Sequence, residues 1–226
     1  MSRVEKLTVT GLRNLVDVAI DVSPRLNIFH GENGSGKTSL LEGIHLLSSG
    51  RSFRSAKLDP LITHGKDEAV IFSQLTDGLR IGLSKSRRRR HLLRLQDETQ
   101  KNWESVARSL PLQIIDSTAF QLLEGGPKAR RRFLDWGVFH VEQLYHKAWR
   151  RFQRSIKQRN SLLRHGKISS AELASWNQEF IETGEQIDAL RKAYLAQLVP
   201  SFTSLLERLS PGLAATEVRY RRGWDA

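Results

Sequence analysis

One stretch of eight residues limits what this chain can fold into more than any other: Gly31-Glu32-Asn33-Gly34-Ser35-Gly36-Lys37-Thr38 matches G-x-x-x-x-G-K-[ST] at every defined position. From average residue frequencies, such a match arises by chance in a chain of 226 residues about 1 % of the time. Its surroundings add to the case. Leu26-Asn27-Ile28-Phe29 predicts a short apolar strand running into the loop, and Leu40, Leu41, Ile44 and Leu47 follow helical spacing until Ser48-Ser49-Gly50 stops the helix. Strand, glycine loop and helix in that order make a phosphate cradle. Gly34 and Gly36 let successive backbone N–H groups turn toward phosphate oxygens, and the helix starting near Lys37 adds its partly positive N-terminus. Lys37 supplies a point charge to the outer phosphates, and the Thr38 hydroxyl is suited to Mg²⁺. The candidate nucleotide site therefore comprises Gly31, Glu32, Asn33, Gly34, Ser35, Gly36, Lys37, Thr38 and Ser39, with ATP and Mg²⁺ as ligands and Thr38 as the metal-contacting residue.

Around the loop the periodicity changes twice. Val4, Leu7, Val9 and Leu12, then Val16 to Val22, alternate at the two-residue period of half-buried strands, with Gly11 to Asn14 between them. Strands are again predicted at Ala69–Phe72, Leu79–Leu83 and His91–Leu95, joined by Asp77-Gly78 and by a basic turn, which reads as an antiparallel meander. Leu112–Ile115 and Thr216–Tyr220 predict further short strands. After Gly125-Gly126-Pro127 the chain turns helical, Pro127 suiting a first helical turn. Val138, Val141, Tyr145, Ala148, Phe152 and Ile156 lie three or four apart. Beyond Gly166, Ser169 and Glu172 form a capping box ahead of Leu173, Trp176, Phe180, Thr183, Ile187, Leu190 and Tyr194. Two antiparallel helices joined by a short turn are expected, the second ended or bent at Pro200, their aromatic residues serving as core. This divides the chain into a phosphate-binding lobe with a meander (1–125), a helical arm (126–209) and the start of a return to the first lobe (210–226).

Thirty-six Lys and Arg against 24 Asp and Glu leave a formal charge of +12, which favours polyanionic partners, nucleic acid first among them. Arg87, Arg88, Arg89 and Arg90, flanked by Lys85 and His91, sit at a predicted hairpin tip from which they could contact a phosphate backbone. Lys128, Arg130, Arg131 and Arg132 open a predicted helix, where the helix dipole disfavours positive charge, so an anion or acidic surface is expected nearby. There is no cysteine, which excludes a disulfide framework or zinc ribbon and fits a reducing compartment. The first residues lack a signal-peptide core, and no apolar run approaches the roughly 20 residues of a membrane span. A cytoplasmic protein without membrane contact is expected.

Hydrolysis needs more than a cradle, since a carboxylate must hold Mg²⁺ from the other side and position water. An apolar run ending in paired carboxylates is not found. Leu112–Asp116 is interrupted by Gln113, Arg132-Phe133-Leu134-Asp135 lies in a helical stretch, and no Leu-Ser-Gly-Gly-Gln signature occurs. No catalytic carboxylate is assigned.

Several segments together resemble the RecF family of recombination and repair proteins, whose ABC-type ATPase head is related to that of SMC proteins. They are Gly11-Leu12-Arg13-Asn14, Gly31 to Ile44, Gly50-Arg51-Ser52-Phe53-Arg54-Ser55, Leu122 to Trp136 with its Gly-Gly-Pro-Lys, and Lys157-Gln158-Arg159-Asn160. The resemblance implies an α/β P-loop NTPase with an ABC-type head, an antiparallel β subdomain and a helical-hairpin second lobe. It further implies a weak DNA-dependent ATPase acting in replication, recombination, repair and the SOS response. Such a protein forms an ATP-dependent homodimer, binds duplex and single-strand junctions in gapped DNA, and helps load recombinase with RecR and RecO. Arg13 and Asn14 would lie near the nucleotide; where related heads place a glutamine or acidic Mg²⁺-sensing residue after the Leu112–Ile115 strand, this chain departs and reads Asp116-Ser117-Thr118-Ala119, leaving Gln113 or Asp116 as substitutes. The family's signature and acidic strand lie toward its C-terminus and are not met before Ala226, so this stretch alone is not expected to close a composite ATPase site. Two other readings use the same residues: a P-loop phosphotransferase, and a DNA-binding fragment whose basic surface acts without nucleotide.

Overall fold

The alternation at the N-terminus becomes a hairpin in the computed structural model, which describes residues 2–57, 59–164, 170–213 and 215–223. Val4–Leu12 (β1) pairs antiparallel with Leu15–Asp21 (β2), and because Leu12 stands opposite Leu15 only Arg13 and Asn14 make the turn. Glu68–Leu75 (β3), Arg80–Ser86 (β4), Leu92–Leu95 (β5) and Glu98–Thr99 (β6) form the expected meander. β1 joins the two sets by pairing antiparallel with β3, giving one sheet in the order β2-β1-β3-β4-β5-β6. Alternation places Ala69, Ile71, Ser73 and Leu75 of β3 inward and leaves Val70 and Phe72 on the outer face.

Lys37–Ser49 (α1) packs into the inward face, where Leu46 and Leu47 join Leu7, Val9, Leu12, Ile71, Ile81 and Leu83 in one core. α1 stops at Gly50, whose left-handed φ of 70° brings its N–H onto the Leu46 carbonyl, and the Trp103 indole lies against that turn. Glu104–Ser109 (α2) completes the core with Val106.

The chain divides into two compact units, Met1–Ile114 and Ile115–Ala226. The second contains Pro127–Val141 (α3), Tyr145–Arg164 (α4) and Ser170–Leu209 (α5), preceded by a 3-10 segment at Ser117–Leu122. Leu134, Val138, Tyr145, Ala148 and Ile187 are its buried core, and Phe152 stacks on Phe180 with ring centroids 5.1 Å apart.

Four expectations are corrected. Leu26–Phe29, Leu112–Ile115 and Thr216–Tyr220 are not strands; an apolar run becomes a strand only where a second strand completes its ladder, and among the described residues none pairs with these segments. Leu26 and Ile28 are accordingly 71 % and 76 % exposed. The helical run through Val138 and Ile156 breaks at Glu142, whose backbone is extended, so the expected first helix is two. Of the two outcomes expected at Pro200, an end or a bend, the end does not occur, since α5 remains helical to Leu209. Gly166 and Ser169, and with them half of the capping box, lie outside the described residues, while Glu172 does stand in the first turn of α5. Among the described residues no helix is long and apolar enough to cross a membrane.

Candidate phosphate-binding site

Three glycines give the loop its shape. Gly31, Gly34 and Gly36 have φ of 142°, 85° and 101°, conformations that side chains with a Cβ rarely adopt. Space adds a second constraint at Gly36, where a Cβ would stand 2.5 Å from Leu15 Cδ2. Gly36 caps α1, so the first amides of the helix open onto the loop. Lys37 reaches back across it, its ammonium donating to the carbonyls of Gly31 and Glu32 at 2.8 Å each. Glu32, Asn33 and Ser35 are exposed on the loop, and Ser35 N–H closes it by donating to the Glu32 carbonyl at 3.2 Å. Thr38 is exposed in the first turn of α1, and Ser39 is buried behind it.

Asn14 and Arg13, at the β1–β2 turn, support this loop from below in different ways. Asn14 Nδ2 donates to the Gly34 carbonyl at 2.6 Å, and its Oδ1 accepts from Ser39 Oγ at 2.9 Å, fastening the loop to both the hairpin and the helix. Arg13 takes a left-handed φ of 56°, unusual for a residue with a Cβ. Its guanidinium is spent on the interior: Nε and Nη2 donate to the two oxygens of Glu42 at 2.8 Å each, and Nη1 donates to the Pro60 carbonyl at 2.8 Å.

Glu42 has no exposed side-chain surface, so its charge has to be matched locally. Besides Arg13 it accepts from Ser52 Oγ and lies 3.9 Å from Arg54 Nη1. Burial alone would raise its pKa, but the hydrogen bonds from Arg13 and Ser52 and the charges of Arg13 and Arg54 outweigh it and hold the carboxyl below its ordinary range. Arg13 is raised in turn by its hydrogen bond to Glu42. Ser52 Oγ also accepts from the amides of Arg54 and Ser55 at 2.9 Å each, shaping the segment after α1. Three sequence segments noted separately, Gly11–Asn14, Leu40–Ile44 and Gly50–Ser55, thus meet on one carboxylate. No spacing rule signals this, because Arg13 and Glu42 are 29 residues apart on different elements.

The donor set suits a nucleotide phosphate chain: turned backbone amides, a helix N-terminus and one ammonium. Among the described residues no group of three or more His, Cys, Asp or Glu could hold a metal ion.

The basic turn is less uniform than its sequence. Arg87 is tied down, its guanidinium donating to the carbonyls of Ile62 and Lys66 at 3.3 Å, and Arg88 lies 3.4 Å from Asp67. Arg89 and Arg90 are exposed on the same turn. In the second unit, Arg130 at the start of α3 donates to the Leu122 carbonyl at 3.2 Å, so that cation meets the end of the 3-10 segment. Asp116 caps that segment's first turn, accepting from Thr118 N–H at 2.8 Å and Thr118 Oγ1 at 2.6 Å. Gln113 is exposed. Asp135 accepts from Tyr145 Oη at 2.6 Å and from Arg191 Nε at 2.8 Å, joining α3, α4 and α5.

Residues 3–120 match the family described as RecF/RecN/SMC N terminal domain. The chain is similar to the DNA replication and repair protein RecF of Azotobacter vinelandii, 46 % identical over 224 residues that make up 97 % of this chain and 61 % of the relative. The RecF of Stutzerimonas stutzeri is 45 % identical, over 97 % of this chain and 60 % of its own. The chain thus spans about three fifths of the length of these relatives. In fold it is similar to the solved structure of the recombination mediator protein RecF-ATP in the RecFOR pathway, with a TM-score of 0.81 at 23 % identity over 93 % of this chain and 58 % of that one. A Smc head domain from Pyrococcus furiosus, with an extended coiled coil and bound to the C-terminal domain of ScpA, gives a TM-score of 0.59 at 16 % identity over 94 % and 66 %. The architecture is the α/β P-loop fold of an ABC-type ATPase head, and by sequence and fold together this chain belongs to the RecF family.

Proposed function

We propose that this chain binds ATP with Mg²⁺ at Gly31–Ser39 and that nucleotide binding governs attachment to DNA during replication and repair. The observation that carries the reading is the loop itself: three left-handed glycines at the N-terminus of α1, with Lys37 drawn across them and Asn14 bracing them from the hairpin. Its amides and ammonium would bind and orient the phosphates, and Thr38 would contact the Mg²⁺, which supplies charge neutralisation between phosphates when bound. Similarity to curated RecF proteins supports DNA as the second ligand. Following the family, the reading extends to gapped DNA with single-strand and duplex junctions, to ATP-dependent homodimerisation, to recombinase loading with RecR and RecO, and to a cytoplasmic location. Arg87, Arg88, Arg89 and Arg90 are all exposed on the meander turn, and the reading assigns them contact with phosphates.

The test is binding of a labelled gapped duplex with and without Mg-ATP, for the wild type and Lys37→Met. Tightening by Mg-ATP in the wild type, lost in the variant, is the expected result. Equal binding in all four conditions would overturn nucleotide control and leave a basic surface acting alone.

A further inference from the structure

α4 carries seven basic residues and no acidic one, and its cations fall into two groups. Arg151 and Arg159 turn toward α5: Arg151 makes a two-pronged ion pair with Glu179 at 2.7 Å, and Arg159 donates to Asn177 and lies over the Phe180 ring. Lys147, Arg150, Arg154, Lys157 and Arg164 form the second group. Their spacing of three, four, three and seven residues lines them along one helix face, opposite Tyr145, Ala148 and Ser155, which are buried. All five are exposed; Arg154 lies over the Trp176 ring at 5.7 Å, and its charge also acts on Glu179. At about 1.5 Å per residue the row is roughly 25 Å long.

Folding does not account for this row. Like charges three and four residues apart disfavour a helix, and Lys147 and Arg150 stand near its N-terminus, where the dipole opposes cations. The anions of the hairpin lie on α5, where Glu172, Glu179, Glu182, Glu185 and Asp188 occur with no Lys or Arg between the first and the last. Gln153, Asn160 and Ser161 on the cationic face are polar, and the exposed Trp149 stands at its edge beside Arg150, so charged and polar groups make up the row itself and apolar surface only its margin. A straight line of cations with amide and hydroxyl groups between them suits a line of phosphates, which duplex DNA presents about every 3.4 Å along each strand.

We propose that the outer face of α4, through Lys147, Arg150, Arg154, Lys157 and Arg164, is a duplex-binding surface that contacts the phosphate backbone without reading sequence. The inference rests on the DNA-binding reading above and adds a contact in the second unit to the meander turn of the first.

The test is fluorescence anisotropy of a labelled 30-base-pair duplex across a salt series, using the chain with Lys147→Gln, Arg150→Gln and Lys157→Gln combined. Glutamine keeps helix propensity close to that of lysine and arginine, and Arg151 and Arg159 stay in place. The wild type is expected to bind, and the variant to bind at least about tenfold more weakly at moderate salt, with a salt slope shallower by about 3 and unchanged far-ultraviolet circular dichroism. The charge-conserving Lys147→Arg, Arg150→Lys, Lys157→Arg variant is expected to retain wild-type binding, which separates lost charge from lost structure. If the wild type binds duplex and the glutamine variant keeps its slope, the α4 surface is wrong and the DNA-binding reading stands. The same unchanged slope accompanied by lost binding of poly-glutamate would overturn it in favour of an acidic protein partner. A wild type that fails to bind duplex at low salt overturns both.

Discussion

In each unit of the molecule a carboxylate draws three segments together, but the two carboxylates are set at different depths. Glu42 draws together the β1–β2 turn, α1 and the segment after α1, with no side-chain surface left to solvent. Asp135 draws together α3, α4 and α5 through Tyr145 and Arg191 while remaining 26 % exposed. Water can replace a lost partner at Asp135 and cannot reach Glu42. The first junction therefore holds a strained turn and a phosphate loop in one geometry, whereas the second holds together helices that also share an apolar core.

The largest expected effect breaks the deeper junction. Glu42→Ala strands the Arg13 guanidinium and should cost about 3–5 kcal/mol in urea unfolding of the first unit; a loss below about 1 kcal/mol would show that the pair is replaceable. The same residue sets an acid dependence. Its folded pKa lies below the unfolded one, so its stabilisation is present above the ordinary carboxylate range and is lost as pH falls through the folded pKa. Glu42→Gln should flatten stability against pH in that window, and an unchanged acid limb would assign the dependence elsewhere. Next is Gly36→Ala, which places a Cβ in left-handed backbone against Leu15. It should cost about 1–3 kcal/mol and weaken ATP binding, measured by calorimetry; retained affinity would mean that the loop tolerates a different shape. Smallest is Tyr145→Phe at the shallower junction. Losing one hydrogen bond to Asp135, with the ring still packed, should cost about 1 kcal/mol in thermal unfolding, and a loss equal to that of Glu42→Ala would erase the contrast between the junctions.

How much of this was legible in the sequence depended on the range of the interaction. The glycine loop, the β1–β2 turn and the β3–β5 meander are local, and Asp77-Gly78 or Gly31–Thr38 announces each within a few residues. Leu26–Phe29 and Leu112–Ile115 carry the apolar pattern of strands, but that pattern records a tendency to be covered and not the presence of a partner. The break at Glu142 has neither Gly nor Pro to mark it. Pro200 is marked and does not end its helix, which shows that a lost N–H is tolerated where the surrounding helix continues. The Arg13–Glu42 pair lies beyond any local rule, because its two residues stand 29 positions apart on separate elements. The α4 row was open to view, since its spacing of three and four is the same test applied to apolar residues, made with cations instead.

The placement of β1 between β2 and β3 has a consequence in time. Its pairing with β2 closes over two residues, but its pairing with β3 sets Leu7 against Ser73, with the phosphate loop and α1 inside the intervening chain. Contacts so far apart form slowly, because the entropy of closing the loop is spent before the sheet returns it, while the neighbouring helices of the second unit meet through short connections. The glycine loop is therefore expected to reach its working shape only after the strand ahead of it has paired some sixty residues downstream, an order that pulsed hydrogen exchange during refolding would check.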